Sequence, residues 1–127
     1  MAYKPRVPQD LIDAINKSES FLLVAHIGLD GDHLGSMLTL ARGLRQMGKR
    51  VSCYLPETVP DSYGFLPDLD LLDKELSQEN FDSLVTLECP DVQRLPKGID
   101  IPEFQSKGVT VLNLDHHPDN ENYGDIL

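Results

Sequence analysis

Residues 26–32, His-Ile-Gly-Leu-Asp-Gly-Asp, set an imidazole and two carboxylates, His26, Asp30 and Asp32, in one short stretch. One nitrogen donor and two hard oxygen donors at that spacing reach two neighbouring cations. A second set arrives about ninety residues later, where Asp115, His116 and His117 add a carboxylate and two imidazoles. Mixed nitrogen and oxygen ligands without thiolate favour manganese, magnesium or iron over a structural zinc site. Two such ions about 3.5–4 Å apart clamp a phosphoryl group and generate a hydroxide between them. Gly31 and Gly35 let the backbone turn tightly and approach a ligand. The helix that follows, starting near Ser36, offers N–H groups to a phosphate. Taken alone, H-x-x-x-D-x-D is more often a surface loop than a site, and a bare Asp-His-His is also weak. The case for a metal site is that both occur, each directly after a buried-type strand. His33 is expected to be a bystander, facing solvent or capping the helix. Cys89 is expected to be a small buried hydrophobe rather than a soft ligand, and Met37 and Met47 to be core.

Those residues need strands to deliver them. Phe21–Ala25 is a continuous apolar run, as suits a strand covered on both faces of a parallel sheet. The pattern predicts a helix from Leu34, with Met37, Leu38, Ala41 and Leu44 on one face and Gly48 as its stop. Before these, Pro8 opens a short amphipathic helix that turns Leu11, Ile12 and Ile15 to one side. Val51, Cys53 and Leu55 alternate with polar residues as a second strand. Residues 56–68 read as loop, and 69–82 as either a short strand or a helix. Residues 83–87 and 109–114 are clear strands, and a helix within 99–107 is weakly supported. Strands separated by helical segments predict an α/β fold with a mostly parallel sheet and helices on both faces. Ligands of such sheets gather beyond the carboxyl ends of the strands. HIGLDGD, ECPDVQR and DHHPDN each stand at such an end.

The 127 residues amount to one domain or less, and 40% are hydrophobic. The net charge of −10 argues against coating long duplex nucleic acid, which needs a basic face. Surplus carboxylates suit divalent cations, although most of the charge is accounted for by a solvated acidic surface. Cys53 and Cys89 form no disulfide framework. No apolar run approaches the roughly 20 residues that span a bilayer, so no membrane association is expected. The amino terminus lacks the apolar region of a signal peptide, and the reading is a cytoplasmic protein.

With these residues in place, the sequence resembles the DHH phosphoesterase family, and within it the branch of oligoribonucleases and phosphatases of 3′-phosphoadenosine 5′-phosphate. HIGLDGDHLGS, VPDSYGFLP, LVTLECPDVQRL and NLDHHPDN with NYGDI carry the resemblance, which runs from about residue 8 onward. It implies a two-ion manganese centre, with magnesium as the alternative. His26 and Asp30 would hold one ion and Asp32 and His116 the other. Glu88 would occupy the place of the family's bridging aspartate. Asp115 would orient His116, and His117 would face the substrate phosphate or leaving group. Arg94 would either contact phosphate or tie its loop to a carboxylate. The implied substrates are small nucleotides or short RNA, and a homodimer is possible for the complete protein.

Three departures stand out. Glu88 is one methylene longer than the expected aspartate, and Asp91 could substitute only by reaching from its loop. Leu29 and His33 replace a usual proline and a usual small residue. Residues 1–127 correspond to the amino-terminal part of a DHH domain, without the family's further metal-binding aspartate and its second, substrate-binding domain. Two readings therefore stand side by side. One is a metal-dependent phosphoesterase, or part of one. The other is a catalytically inactive module that binds metal or nucleotide. A receiver-like domain with one magnesium ion would explain Asp30 and Asp32 but not the Asp-His-His stretch.

Overall fold

Phe21–Ala25 does become the most enclosed part of the molecule. The computed structural model describes residues 8–28, 31–66, 69–76, 80–115 and 120–126, with Gly31 and Asp32 as backbone alone. Its elements run α1 (Gln9–Lys17), β1 (Ser20–Ala25), α2 (Gly31–Gln46), β2 (Arg50–Tyr54), β3 (Leu72–Asp73), β4 (Ser83–Leu87), α3 (Ile101–Ser106) and β5 (Thr110–Leu114). The strands form one parallel sheet in the order β3-β2-β1-β4-β5. The fold is α/β, with α1 and α2 on one face and α3 on the other.

Two cores follow from this layering. Phe21, Leu23 and Ala25 point to the side where Met37, Ala41 and Leu44 of α2 pack. Leu22 and Val24 point to the opposite side, with Leu84, Val111 and Ile101. Strands covered on both faces read as unbroken apolar runs, and β1 and β4 are buried at every position. A third cluster joins Leu34, Leu38 and Leu55 to Tyr63 and Leu66 of the long loop.

Helix boundaries show where local chemistry decides. Gly48 takes φ +82, Lys49 N–H donates to the Leu44 carbonyl at 3.0 Å, and Gly48 N–H donates to that of Arg45 at 3.0 Å. This pair of bonds closes α2 in the manner that a left-handed glycine permits. At its other end α2 begins at Gly31, three residues before the expected Leu34. The start at Gly31 places a glycine and an aspartate in the first turn, and an acidic residue there suits the helix dipole. The six-residue α3 is set by the Asp100 carboxylate, which accepts from Glu103 N–H at 3.2 Å, and by Pro102 in its first turn.

Two apolar assignments are corrected. Ile12 is exposed, because Leu11, Ala14 and Ile15 already form the row of α1 that meets the core. Met47 is also exposed, since it follows the last turn of α2. The segment between residues 69 and 82 contains a single helical turn and the two-residue β3, whose Leu72 pairs with Cys53. After β5 the chain returns, and Ile126 bridges Leu112 in parallel. Gly124 lies against Val111 at φ +96, where a Cβ would meet Val111 Cγ1 at 2.9 Å. Only glycine fits that approach.

Candidate metal centre at the switch point

From β1 the chain adds β2 and β3 on one side and β4 and β5 on the other. The order therefore reverses between β1 and β4, and the crevice beyond the carboxyl ends of those strands is where such sheets bind ligands. Ala25 pairs with Leu87, and Leu87 with Leu114. The next residue on each strand is His26, Glu88 and Asp115 respectively. The register thus brings His26, Glu88 and Asp115 to the ends of three adjacent strands, whose backbones lie about 4.8 Å apart per step.

Each member of that row is aimed by its surroundings. His26 Nδ1 contacts the Ile27 carbonyl. Such a contact fixes the ring's orientation and leaves Nε2 as the nitrogen a cation would use. The His33 ring packs edge-on against His26, with centroids 3.6 Å apart. At 3% exposure His33 is buried and does not face solvent. Position 33 continues the row of Met37, Ala41 and Leu44 one turn towards the amino terminus, so the periodicity that marked the core of α2 also marks this histidine.

Glu88 has φ +55, and its N–H donates to the Leu114 carbonyl at 3.0 Å. Left-handed backbone at a residue other than glycine costs roughly 1–2 kcal/mol and tends to occur at functional positions. Asp91 does not reach back in its place: its carboxylate accepts from Gln93 N–H at 2.8 Å and caps the helical turn Val92–Arg94. Asp115 is half-buried, and its carboxylate accepts from Asn120 Nδ2 at 2.9 Å.

The loops that carry these groups are tied to one another through backbone. Ile27 N–H donates to the Arg94 carbonyl at 2.8 Å, and Glu121 N–H to that of Pro90 at 2.8 Å. Arg94 thus holds the β1 loop by its main chain, while its side chain is exposed. Gly28 N–H donates to the Glu57 carboxylate at 2.8 Å, a tie that no sequence pattern signalled. Tyr123 places its hydroxyl 2.5 Å from the Cys89 carbonyl and 2.9 Å from Thr86 Oγ1. Its one proton goes to the carbonyl, and burial pushes its pKa up.

Cys89 is fully buried, its thiol contacts the Asp91 carbonyl at 3.2 Å, and desolvation raises its pKa. It stays a protonated thiol at neutral pH, as its reading as a small hydrophobe requires. The donors left are imidazole and carboxylate, which fit manganese or magnesium rather than a thiolate-bound metal. Ser36 lies in the second turn of α2, because that helix begins at Gly31. The amides free to meet an anion are those of the first turn, so the expected helix terminus shifts to residues 31–34. Ser36 lines an apolar groove of about 750 Å³ with Ile15, Leu40, Leu87 and Leu114. Asp30, His116 and His117 lie outside the described residues, as does the side chain of Asp32. Among the described residues, no three His, Cys, Asp or Glu side chains cluster closely enough to hold an ion.

A doubly wound parallel sheet whose histidine and acidic loops meet at the switch point defines the class, and comparison with known proteins gives the family. The chain matches the DHH family, N-terminal domain, over residues 20–126, and it belongs to that family. It is similar to the bifunctional oligoribonuclease and PAP phosphatase NrnA of Bacillus subtilis (strain 168), with 28% identity over 118 residues. That match covers 93% of this chain and 36% of the relative. An exopolyphosphatase-related protein from Bacteroides fragilis shares the fold, with a TM-score of 0.79 at 24% identity, over 93% of this chain and 36% of that one. The chain therefore spans about a third of the length of the proteins that it matches. Among the described residues no helix is long and apolar enough to cross a membrane.

Proposed function

We propose that this chain forms the metal-binding part of a phosphoesterase that hydrolyses phosphoester bonds in short oligoribonucleotides or small nucleotides such as 3′-phosphoadenosine 5′-phosphate. The observation that carries the reading is the placement of His26, Glu88 and Asp115 directly after three paired strands at the switch point, in a chain of the DHH family. The similarity to NrnA supports the substrate class. His26 and Asp30 would hold one cation and Asp32 and His116 the other, with Glu88 reaching both. Manganese is the proposed metal and magnesium the alternative. When bound, the ions supply Lewis acidity and a nucleophile from water at neutral pH. The protein residues would do the rest: Asp115 would orient His116, His117 would face the substrate phosphate or leaving group, and the amides of residues 31–34 would meet phosphate oxygens.

A second reading has one observation in its favour. Glu88 stands in strained backbone where the resemblance implies an aspartate, so the chain could bind metal or nucleotide without turnover. Calorimetric titration of the protein with manganese, followed by assay on short RNA and on 3′-phosphoadenosine 5′-phosphate, separates the two. Two sites are expected, and metal-dependent hydrolysis in the complete protein, with Asp32→Ala lowering that turnover by more than about a hundredfold at an unchanged melting temperature. Binding without turnover favours the inactive module. Turnover that survives Asp32→Ala overturns the site.

A further inference from the structure

Asn113 is the penultimate residue of the otherwise apolar end of β5 and is 3% exposed. A buried amide needs partners for both its ends, and Asn113 finds them in Asn120. Asn113 Nδ2 donates to Asn120 Oδ1 at 3.0 Å, and Asn120 Nδ2 donates to Asn113 Oδ1 at 3.1 Å. The two amides thus form a closed, reciprocal pair. Each also has a further bond. Asn120 Nδ2 donates to Asp115 Oδ2 at 2.9 Å, Asn120 Oδ1 accepts from Asn122 N–H at 2.6 Å, and Asn113 Nδ2 donates to the Tyr123 carbonyl at 3.2 Å.

The pair sits at a telling place. Asp115 and Asn120 bracket residues 116–119, which carry both histidines of the Asp-His-His stretch. One side chain therefore holds the residue that enters this segment, anchors the residue that leaves it, and ties both to the floor of β5. Ligands that must stand at a fixed point need support from behind, because a site left about 1 Å too loose by its supporting residues fails.

We infer that Asn120 is a positioning residue for the metal centre, acting through Asp115 and the buried amide of Asn113. The inference rests on the phosphoesterase reading for its metal and on the amide pair for its mechanism. Loss of a partner behind a ligand typically lowers metal affinity by roughly 10–100-fold, and that range is expected here.

The test compares manganese affinity and melting temperature in the wild-type protein and three variants. Asn120→Ala removes the whole clamp. Asn120→Asp keeps the acceptor for Asn122 N–H and Asn113 Nδ2, but it removes the donation to Asn113 Oδ1 and replaces that to Asp115 with repulsion. Asp125→Ala loosens the same return segment at its far end, where the Asp125 carboxylate accepts from Val111 N–H at 2.8 Å, and leaves Asp115 alone. At least tenfold weaker binding in both Asn120 variants, with Asp125→Ala unchanged in affinity but equally lowered in melting temperature, supports the inference. Affinity within twofold of wild type in the Asn120 variants overturns it and leaves the metal centre standing. A uniform loss in all three assigns the effect to general loosening and also overturns it. Absence of manganese binding by the folded wild-type protein removes the metal reading itself, and the positioning role with it.

Discussion

The two ends of the sheet solve the same problem in opposite ways. At the amino ends of the strands, polar groups satisfy one another at short range. Ser18 and Ser83 share a buried hydroxyl bond of 2.6 Å, Asp82 N–H donates to Ser20 Oγ at 2.9 Å, and the Asp82 carboxylate accepts from Glu19 N–H at 2.8 Å. At the carboxyl ends, a histidine and two carboxylates stand in a row, and the bonds that fix them come from behind: the Arg94 carbonyl, Glu57, the Asn113–Asn120 pair and Tyr123. One end uses its polar groups for cohesion. The other uses cohesion to hold polar groups ready, and it carries left-handed strain at Glu88 as well.

Three substitutions or conditions break or sharpen that contrast. The largest effect is expected at the cohesive end. Ser83→Ala leaves the buried Ser18 hydroxyl without its partner and should destabilise the protein by about 1–3 kcal/mol in urea unfolding. Manganese affinity should not change, and a parallel loss of affinity would show that the two ends are coupled. Alkaline pH should act more gradually, with less than the loss of that buried bond over the first pH unit, and through the sheet rather than either end. Burial raises the Cys53 thiol from 9.0 to about 12. The unfolded chain then loses this proton first, so stability is intact below pH 9 and falls as pH rises towards 12, by up to about 1.4 kcal/mol per pH unit from this thiol. Unfolding midpoints measured from pH 8 upward check the slope, and Cys53→Ala should flatten it. The smallest effect has the opposite sign. Glu88→Gly should relieve the left-handed backbone and stabilise the fold by roughly 0.5–1 kcal/mol, while manganese binding weakens. A variant less stable than wild type would mean that the contacts of Glu88 outweigh the cost of its left-handed backbone.

The same contrast explains what the sequence disclosed. β1, β4 and β5 were legible because strands buried on both faces must be apolar throughout, and the polar clusters that end them mark the ligand side of such a sheet. The core face of α2 was legible from its period. β3 was not, since two residues carry no period and Leu72 is a strand residue only because Cys53 lies beside it. His33 is polar by chemistry but core by position, since the period that buries Met37 and Ala41 buries it as well. The Asn113–Asn120 pair was missed for a related reason. An asparagine inside the best apolar run of the chain is a signal that a partner exists, but nothing local says which residue it is. Glu57 gave no signal at all, because its role depends on how a loop folds back. The left-handed turn at Glu88 was equally silent, although it bears on the departure noted there: aspartate and asparagine enter that backbone region more readily than most residues.

The strand order carries a consequence in time. β1 is the first strand to be synthesised, yet it ends at the centre of the sheet, flanked by β2 and β4. β4 follows about sixty residues later. At roughly 5–20 residues per second, a ribosome takes several seconds to cover that distance. Through that interval one edge of Phe21–Ala25, the most apolar segment of the chain, has no neighbour from its own sheet. The nascent polypeptide is then at its most adhesive, and its need for a chaperone should peak between the emergence of β2 and that of β4.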